Sequence, residues 1–249
     1  MALGRNPHRP EFLAAAPTAA DYMGSLPTPP DQIDWSQNVA PDAWGVYANA
    51  GPDAIGDCTA CGAAHATIAW ESYGMPGYSF PTTQEVIAVY SATGGYVPGQ
   101  PATDNGATCE AVLTRWLNVG FTFGGKGARL IAYAKIDPKN FAEVRQGLWA
   151  FGQLYVGAQM MVAQQSEAIW TTTSGPVWGG HCFDIIAADA DANTLTCISW
   201  GQKVEMTADW FAACVEECYV LLSPLWLAKG AAPSGLEVAA LQSACIALG

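Results

Sequence analysis

The order of the secondary-structure patterns is the feature that most constrains how this 249-residue chain folds. Helical patterns dominate between residues 58 and 151, and β-rich runs replace them between residues 154 and 222. Helices and strands that are segregated along a chain predict an α+β fold, because alternating βαβ units are absent. We therefore expect a helical lobe at about 57–151, a β lobe with an antiparallel sheet at about 152–222, and a helical tail at 223–249.

The helices are predicted from their start and stop signals. Residues 58–73 are mostly small, lack proline and precede Gly74, which indicates a buried helix. Thr82 and Glu85 have the spacing of a capping box and predict a helix that ends near Thr93. Further helices are predicted over 107–119, over 138–151 with Pro138 in the first helical position, over 207–213 and over 236–248. Strands are predicted over 130–134, 154–162, 182–187, 195–200, 203–206 and 218–222.

Residues 1–31 contain six prolines and have no usable hydrophobic periodicity. This composition predicts an extended N-terminal arm, separate from a domain that spans residues 32–249. An arm of this kind stays ordered only when something holds it, either its own domain or another chain. Because it has few large apolar side chains, we expect a neighbouring subunit to hold it.

Composition limits the classes of partner. Charged residues make up 13% of the chain and the net charge is −12, so we expect neither nucleic acid nor an anionic membrane surface as a partner. No apolar run is long enough to span a bilayer, and the N-terminus lacks the apolar region of a signal peptide. We expect a cytoplasmic protein, or alternatively a virion protein.

The eight scattered cysteines predict a reduced protein without a disulfide framework.

Three short motifs carry residues that are suited to nucleophilic catalysis. Cys58 follows Gly56-Asp57 and opens the first buried helix, where the positive end of the helix dipole favours a thiolate. His181 follows Gly179-Gly180 at the start of an apolar strand. Ser199-Trp200-Gly201 ends the next strand.

Together these motifs resemble those of the papain-like cysteine peptidases. The layout is most similar to uncharacterised papain-like proteins of bacteria and tailed phages, which share a Gly-Asp-Cys-Thr start, a loop like Asp104-Asn105-Gly106, a Gly-Gly-His and a Trp-Gly. The resemblance implies a two-lobed papain-like fold, a peptide or amide substrate, and catalysis without a metal or organic cofactor. It implies that Cys58 is the nucleophile and His181 the general base.

Two positions depart from the family pattern. The glutamine that donates to the oxyanion is replaced by Pro52, and the asparagine that orients the histidine is replaced by Ile198. The same resemblance therefore leaves a second hypothesis open. The chain would be a catalytically inactive papain-like fold that serves as a structural subunit of a phage virion, and its arm would bind neighbouring subunits.

Other interpretations of the polar residues also remain open. Cys61 is an alternative nucleophile, and a Cys58/Cys61 pair is an alternative redox motif. Cys58, Cys61, Cys214 and Cys218 have spacings that a zinc site would allow. His65 is expected to be a hydrogen-bonded core histidine, and Asp189, Asp191 and Asn193 are expected to form a turn and not a calcium loop.

Overall fold

The structure, a computed structural model, describes residues 1–19, 26–74, 80–227, 232 and 234–235. The helix predicted over 236–248 lies outside the described residues. Within these ranges no helix is both long enough and apolar enough to cross a membrane. The α-helices in this part of the chain are α1 (Pro10–Ala15), α2 (Cys58–Gly74), α3 (Thr83–Gly94), α4 (Cys109–Asn118), α5 (Phe141–Phe151) and α6 (Ala208–Cys214).

Ten strands lie within the described ranges, and most of them are in the second half of the chain, as predicted. They are β1 (Gln32–Asp34), β2 (Phe121–Phe123), β3 (Lys126–Ala128), β4 (Ala132–Lys135), β5 (Leu154–Met161), β6 (Ile169–Trp170), β7 (Val177–Asp189), β8 (Thr194–Ser199), β9 (Gln202–Thr207) and β10 (Val215–Leu222). The main sheet has the order β4-β10-β5-β7-β8-β9-β6, and β1 pairs with β7. Its neighbouring strands are antiparallel except β6 and β9.

Helix α2 lies at the junction between the helical part and the sheet. Residues 58–71 are all buried, because the helix packs against β7 and β5 on one side and against α3 and α4 on the other. Gly62 allows a close approach to β5, since a Cβ atom there would lie 2.8 Å from the ring of Tyr155. The small residues that predicted a buried helix are therefore required by the distance between helix and sheet.

Local capping explains where two helices begin. Thr82 caps α3, and the capping box with Glu85 is present as predicted. Helix α5 begins at Phe141, and not near Pro138, because the side chain of Asn140 accepts a hydrogen bond from the Glu143 amide. The prediction that Pro138 is the first helical residue is wrong.

Strand β7 is longer than its predicted core of 182–187, since it begins at Val177 and includes Gly179 and Gly180. Paired glycines usually indicate that a strand is interrupted, but here residues 179–185 pair in register with β5. Strands β1 and β6 and the β2–β3 hairpin were not predicted, because runs of two or three residues carry too little periodicity.

Residues 1–19 of the N-terminal arm pack on their own domain in the described structure. That a neighbouring subunit also holds the arm stays a prediction. Residues 10–15 form helix α1 instead of an extended segment. Farther along, Lys135 on the edge strand β4 donates its amide to Pro17 and accepts from the Ala19 amide, at 2.8 and 3.0 Å. The arm thus covers a sheet edge whose backbone groups would otherwise lack partners.

Candidate active site

The three sequence motifs meet where the start of α2 faces strand β7. Cys58 is the first residue of α2, and His181 lies on β7 opposite Ala158 of β5. The amide of Cys182, the residue after His181, faces the Cys58 sulfur. The helix start and the histidine strand are therefore adjacent walls of one cleft.

Cys58 is buried, with 1% of its surface exposed. Burial raises the pKa of its thiol to about 12, and the neighbouring Asp57 adds to the shift, while the amides of Cys182 and Gly4 oppose it. The thiolate expected from the helix dipole is therefore absent near neutral pH, because desolvation outweighs the dipole. Asp57 is itself buried, and burial raises the pKa of its carboxyl to about 6.

His181 is fixed by two neighbours. Its Nε2 lies 2.7 Å from Ser199 Oγ, and its ring stacks on Trp200 with centroids 4.5 Å apart and 12° between the planes. Its Nδ1 is buried and has no hydrogen-bond partner. Burial, with a contribution from the positive charge of Arg5, lowers the pKa of the imidazole to about 3, so the ring is neutral.

Ser199 is the residue that sequence reasoning missed. We expected the loss of an orienting residue at Ile198, but Ile198 and Ser199 are consecutive on β8, so their side chains point to opposite faces of the sheet. Ile198 lies in an apolar cluster with Trp44 and Ile186, whereas Ser199 reaches the imidazole. The signal was present in the Ser-Trp-Gly motif, one position beyond the family's asparagine.

Pro52 offers no replacement for the oxyanion glutamine. It is exposed in a turn before α2. The buried Asn49 has a side-chain amide nearby, but its Nδ2 donates to the Ile55 carbonyl at 3.1 Å. The amides at the start of α2 are the remaining donors of a helix N-terminus.

Residues 2–6, which we call the N-terminal strap, lie in the cleft. Ala2 donates to the Asn49 carbonyl at 2.8 Å and accepts from Trp200 Nε1 at 3.1 Å. Arg5 donates its amide to the Gly180 carbonyl at 3.1 Å, next to His181. The strap therefore lies between Gly56, two residues before Cys58, and Gly180, the residue before His181.

The strap also pairs with the loop before α4. Ala107 donates to the Gly4 carbonyl and accepts from the Asn6 amide, both at 2.8 Å. Gly4 is packed so closely that a Cβ atom on it would lie 2.0 Å from the Gly56 carbonyl oxygen. A groove of about 310 Å³ beside the strap is lined by strap residues, Gly56, residues 104–106, Gly179 and Gly180.

The other candidate residues have structural environments. His65 donates Nε2–H to the Gly45 carbonyl at 2.8 Å, and burial lowers the pKa of its imidazole to about 4. It is therefore a hydrogen-bonded core histidine, as predicted. Asp189 accepts from the Ala192 amide at 2.9 Å within the predicted turn. Cys61 lies one helical turn beyond Cys58, and burial, followed by the nearby charge of Asp57, raises the pKa of its thiol.

Neither a disulfide nor a metal site forms among the described residues. The described cysteines are all free thiols. No group of three histidine, cysteine, aspartate or glutamate side chains within these ranges is arranged to hold a metal ion. The zinc site considered for Cys58, Cys61, Cys214 and Cys218 is therefore not assembled.

Comparison with known proteins identifies the fold. No family model matches the sequence, and no curated protein sequence matches it significantly. Among solved structures, the chain is similar to xylellain, a cysteine protease from Xylella fastidiosa, with a TM-score of 0.65 and 13% identity over 89% of this chain and 96% of the other.

The chain is also similar to two further solved cysteine protease structures. A procathepsin B from Trypanosoma congolense has a TM-score of 0.63 at 8% identity and covers 89% of this chain and 86% of its own. A cysteine protease from Carica candamarcensis has a TM-score of 0.54 at 12% identity and covers 79% and 99%, respectively. The chain therefore has the two-lobed papain-like fold that its sequence predicted.

Proposed function

We propose that the chain is a papain-type cysteine hydrolase that cleaves a peptide or amide bond through Cys58 and His181. The observation that carries this proposal is the environment of His181: Ser199 and Trp200 hold the neutral ring, and its Nδ1 has no hydrogen-bond partner. A fixed, neutral imidazole with one free ring nitrogen is the form that a general base requires.

The chemistry follows from these groups. With its proton on Nε2, His181 donates to Ser199 Oγ, and Nδ1 accepts the proton of the Cys58 thiol. The sulfur attacks the carbonyl carbon, and the amide bond breaks to give a thioester and an amine that receives the proton from His181. Water then attacks the thioester, with His181 again accepting a proton, and releases the acid and the thiol. The amides at the start of α2 stabilise the oxyanion.

The described form is a closed one in this proposal. Burial raises the pKa of the Cys58 thiol to about 12 and lowers that of the His181 imidazole to about 3. In this proposal the strap contributes to that burial and excludes substrate and water. When the strap leaves the cleft, water returns, and desolvation of both groups decreases. The thiol pKa then falls and the imidazole pKa rises, so a thiolate forms at a lower pH.

The substitution Gly4→Ala tests this proposal in the full chain. The added Cβ would overlap the Gly56 carbonyl and displace the strap, whereas Gly127→Ala places its Cβ in open space and is the matched control. We expect iodoacetamide to label Cys58 at pH 7 in Gly4→Ala but not in Gly127→Ala. We expect only Gly4→Ala to hydrolyse a fluorogenic peptide amide.

Further substitutions in the Gly4→Ala chain assign the roles. Cys58→Ala and His181→Ala should each abolish hydrolysis, and Cys61→Ala should retain it. Loss of turnover in Cys61→Ala with full turnover in Cys58→Ala would show that the nucleophile is assigned wrongly.

An inactive structural subunit of a phage virion is the second candidate function. The observation that favours it is Pro52, which supplies no donor where the papain-like enzymes have glutamine. A Gly4→Ala chain in which Cys58 is labelled but no peptide amide is hydrolysed would favour this candidate over the enzyme.

A further inference from the structure

The side chain of Arg5 fills a pocket in the β lobe. Its Nη1 lies 2.8 Å from Glu217 Oε1, and its Nη2 pairs with Glu216. The Arg5 side chain is 2% exposed, that of Glu217 is 0% and that of Glu216 is 38%. Glu217 also accepts a hydrogen bond from the Tyr219 hydroxyl at 2.9 Å. Two carboxylates thus bind one guanidinium, and we call this site the Glu216/Glu217 pocket.

Glycines make room for this side chain and its backbone. At Gly157 on β5, a Cβ atom would lie 2.7 Å from Glu217 Oε1 and 2.8 Å from Arg5 Cδ. At Gly180 on β7, a Cβ atom would lie 2.2 Å from the Arg5 carbonyl oxygen. Any larger residue at either position would exclude the strap or the guanidinium, so both glycines belong to the pocket.

The backbone contacts of the strap do not depend on its sequence. Gly4, Arg5 and Asn6 are held by amide and carbonyl groups of Ala107 and Gly180, which any extended peptide in the same place would also find. In contrast, the Arg5 side chain enters a buried site with opposite charge. Gly4, the residue before Arg5, has its amide against the Cys58 sulfur. The pocket therefore binds the side chain of Arg5, which directly follows Gly4, the residue in contact with the Cys58 sulfur.

We propose that the Glu216/Glu217 pocket recognises an arginine side chain of a peptide substrate, and that Arg5 is its intramolecular occupant. The inference rests on the proposed function of the cleft. Arginine fits better than lysine, because two of its terminal nitrogens each meet one carboxylate, a geometry that a single ammonium group cannot reproduce. A neutral side chain in the same place would leave the buried Glu217 without a cationic partner.

Peptide binding to the full chain with Gly4→Ala and Cys58→Ala tests the pocket without catalysis. The probes are a fluorescein-labelled peptide with the sequence of residues 2–6, Ala-Leu-Gly-Arg-Asn, and the same peptide with citrulline in place of arginine. Citrulline keeps the shape and removes the charge. By fluorescence polarisation we expect the citrulline peptide to bind at least about tenfold more weakly.

Glu217→Gln in the same background should reduce that difference to under about threefold, provided that its melting temperature shows a folded chain. Equal affinities for the two peptides, or no binding of either to a chain whose strap is displaced, would overturn the pocket proposal. Hydrolysis by Gly4→Ala alone is measured separately, so failure of the pocket and failure of the proposed function are distinguishable.

A second measurement decides the matter even if Gly4→Ala does not fold. In the full chain with Arg5→Ala, the vacated pocket should bind n-propylguanidine, which carries the end of an arginine side chain. We expect millimolar n-propylguanidine to raise the melting temperature of Arg5→Ala by several degrees and to leave the parent chain unchanged. The neutral n-propylurea is the control. Equal shifts for both compounds, or none for either, would contradict the proposal.

Discussion

The hydroxyl of Ser199 contacts the His181 imidazole, which the side chain of its neighbour Ile198 does not reach. Alternation along β8 places Ser199 on the His181 face and Ile198 in an apolar cluster with 0% exposure. Replacing Ile198 with asparagine would therefore bury an amide among apolar side chains, away from the imidazole, and would not restore an orienting group. Ser199 contacts Nε2 of His181, and Trp200 stacks on the same ring.

We predict that Ser199→Ala in the Gly4→Ala chain lowers kcat roughly ten- to a hundredfold and leaves KM nearly unchanged. In the proposed mechanism the hydroxyl positions the imidazole without contacting the substrate. Ser199→Thr keeps the hydroxyl and should restore most of kcat. The measurement is kcat and KM as a function of pH. The part of the pH profile that reports the ionisation of His181 should shift in Ser199→Ala and not in Ser199→Thr.

The matched control is Ile198→Val on the opposite face, which should cost about 0.5–1.5 kcal/mol of stability without changing kcat. If Ser199→Ala keeps the parent kcat and pH profile, Ser199 has no part in positioning His181.

At the scale of elements, one carboxylate joins a helix to a hairpin. Glu85 completes the capping box of α3 and accepts hydrogen bonds from the amides of Gly124 and Gly125, each at 2.9 Å, at the turn between β2 and β3. Partial burial alone would raise its pKa, but the donors around the carboxylate outweigh burial and lower it. Glu85 therefore stabilises the fold in its charged form.

We predict that Glu85→Ala lowers the free energy of unfolding by about 1–3 kcal/mol at pH 7. Because the folded-state pKa is depressed, this contribution is present above the unfolded-state pKa and is lost as the pH falls through the folded-state value. The difference between parent and variant should therefore shrink towards pH 3. Urea unfolding at pH 7 and pH 3 measures it.

The neighbouring Gln84→Ala is the control for that measurement, since Gln84 is exposed on the same helix. A loss of stability in Glu85→Ala that is the same at both pH values would mean that packing, and not the carboxylate, is responsible.

At the scale of the whole molecule, the arm connects the cleft to the far edge of the sheet. The strap fills the cleft, and residues 17–19 pair with β4 at the end of the sheet. Between them, Phe12 packs with Tyr133 and Tyr219 at ring distances of 6.3 and 6.5 Å. The arm therefore contributes to the stability of the single chain.

We predict that deleting residues 1–19 lowers the melting temperature by roughly 10 °C. The oligomeric state in solution should not change. The deletion removes Arg5 and so leaves the buried Glu217 carboxylate without its cationic partner. This loss alone should lower the free energy of unfolding by about 3–5 kcal/mol, and each kcal/mol lowers the melting temperature of a chain of this size by about 2–4 °C. Thermal unfolding and size-exclusion light scattering at matched concentration measure both quantities.

Arg9→Gln is the control for the deletion, because the Arg9 side chain is 64% exposed and its pairing with Glu110 should contribute little. An unchanged melting temperature together with loss of an oligomer would instead support an arm that binds a neighbouring subunit, as the virion hypothesis requires.

The sequence by itself determined the α+β class, most element positions and the helix that begins at Cys58, because periodicity, caps and small-residue runs act over a few residues. Only the tertiary structure decided that Ser199 holds His181, that burial keeps the Cys58 thiol protonated, and that the strap fills the cleft. Arg5 and Glu217 are 212 positions apart, and no local pattern encodes such a pair. These features depend on desolvation and close backbone approach, which arise only when distant segments pack together.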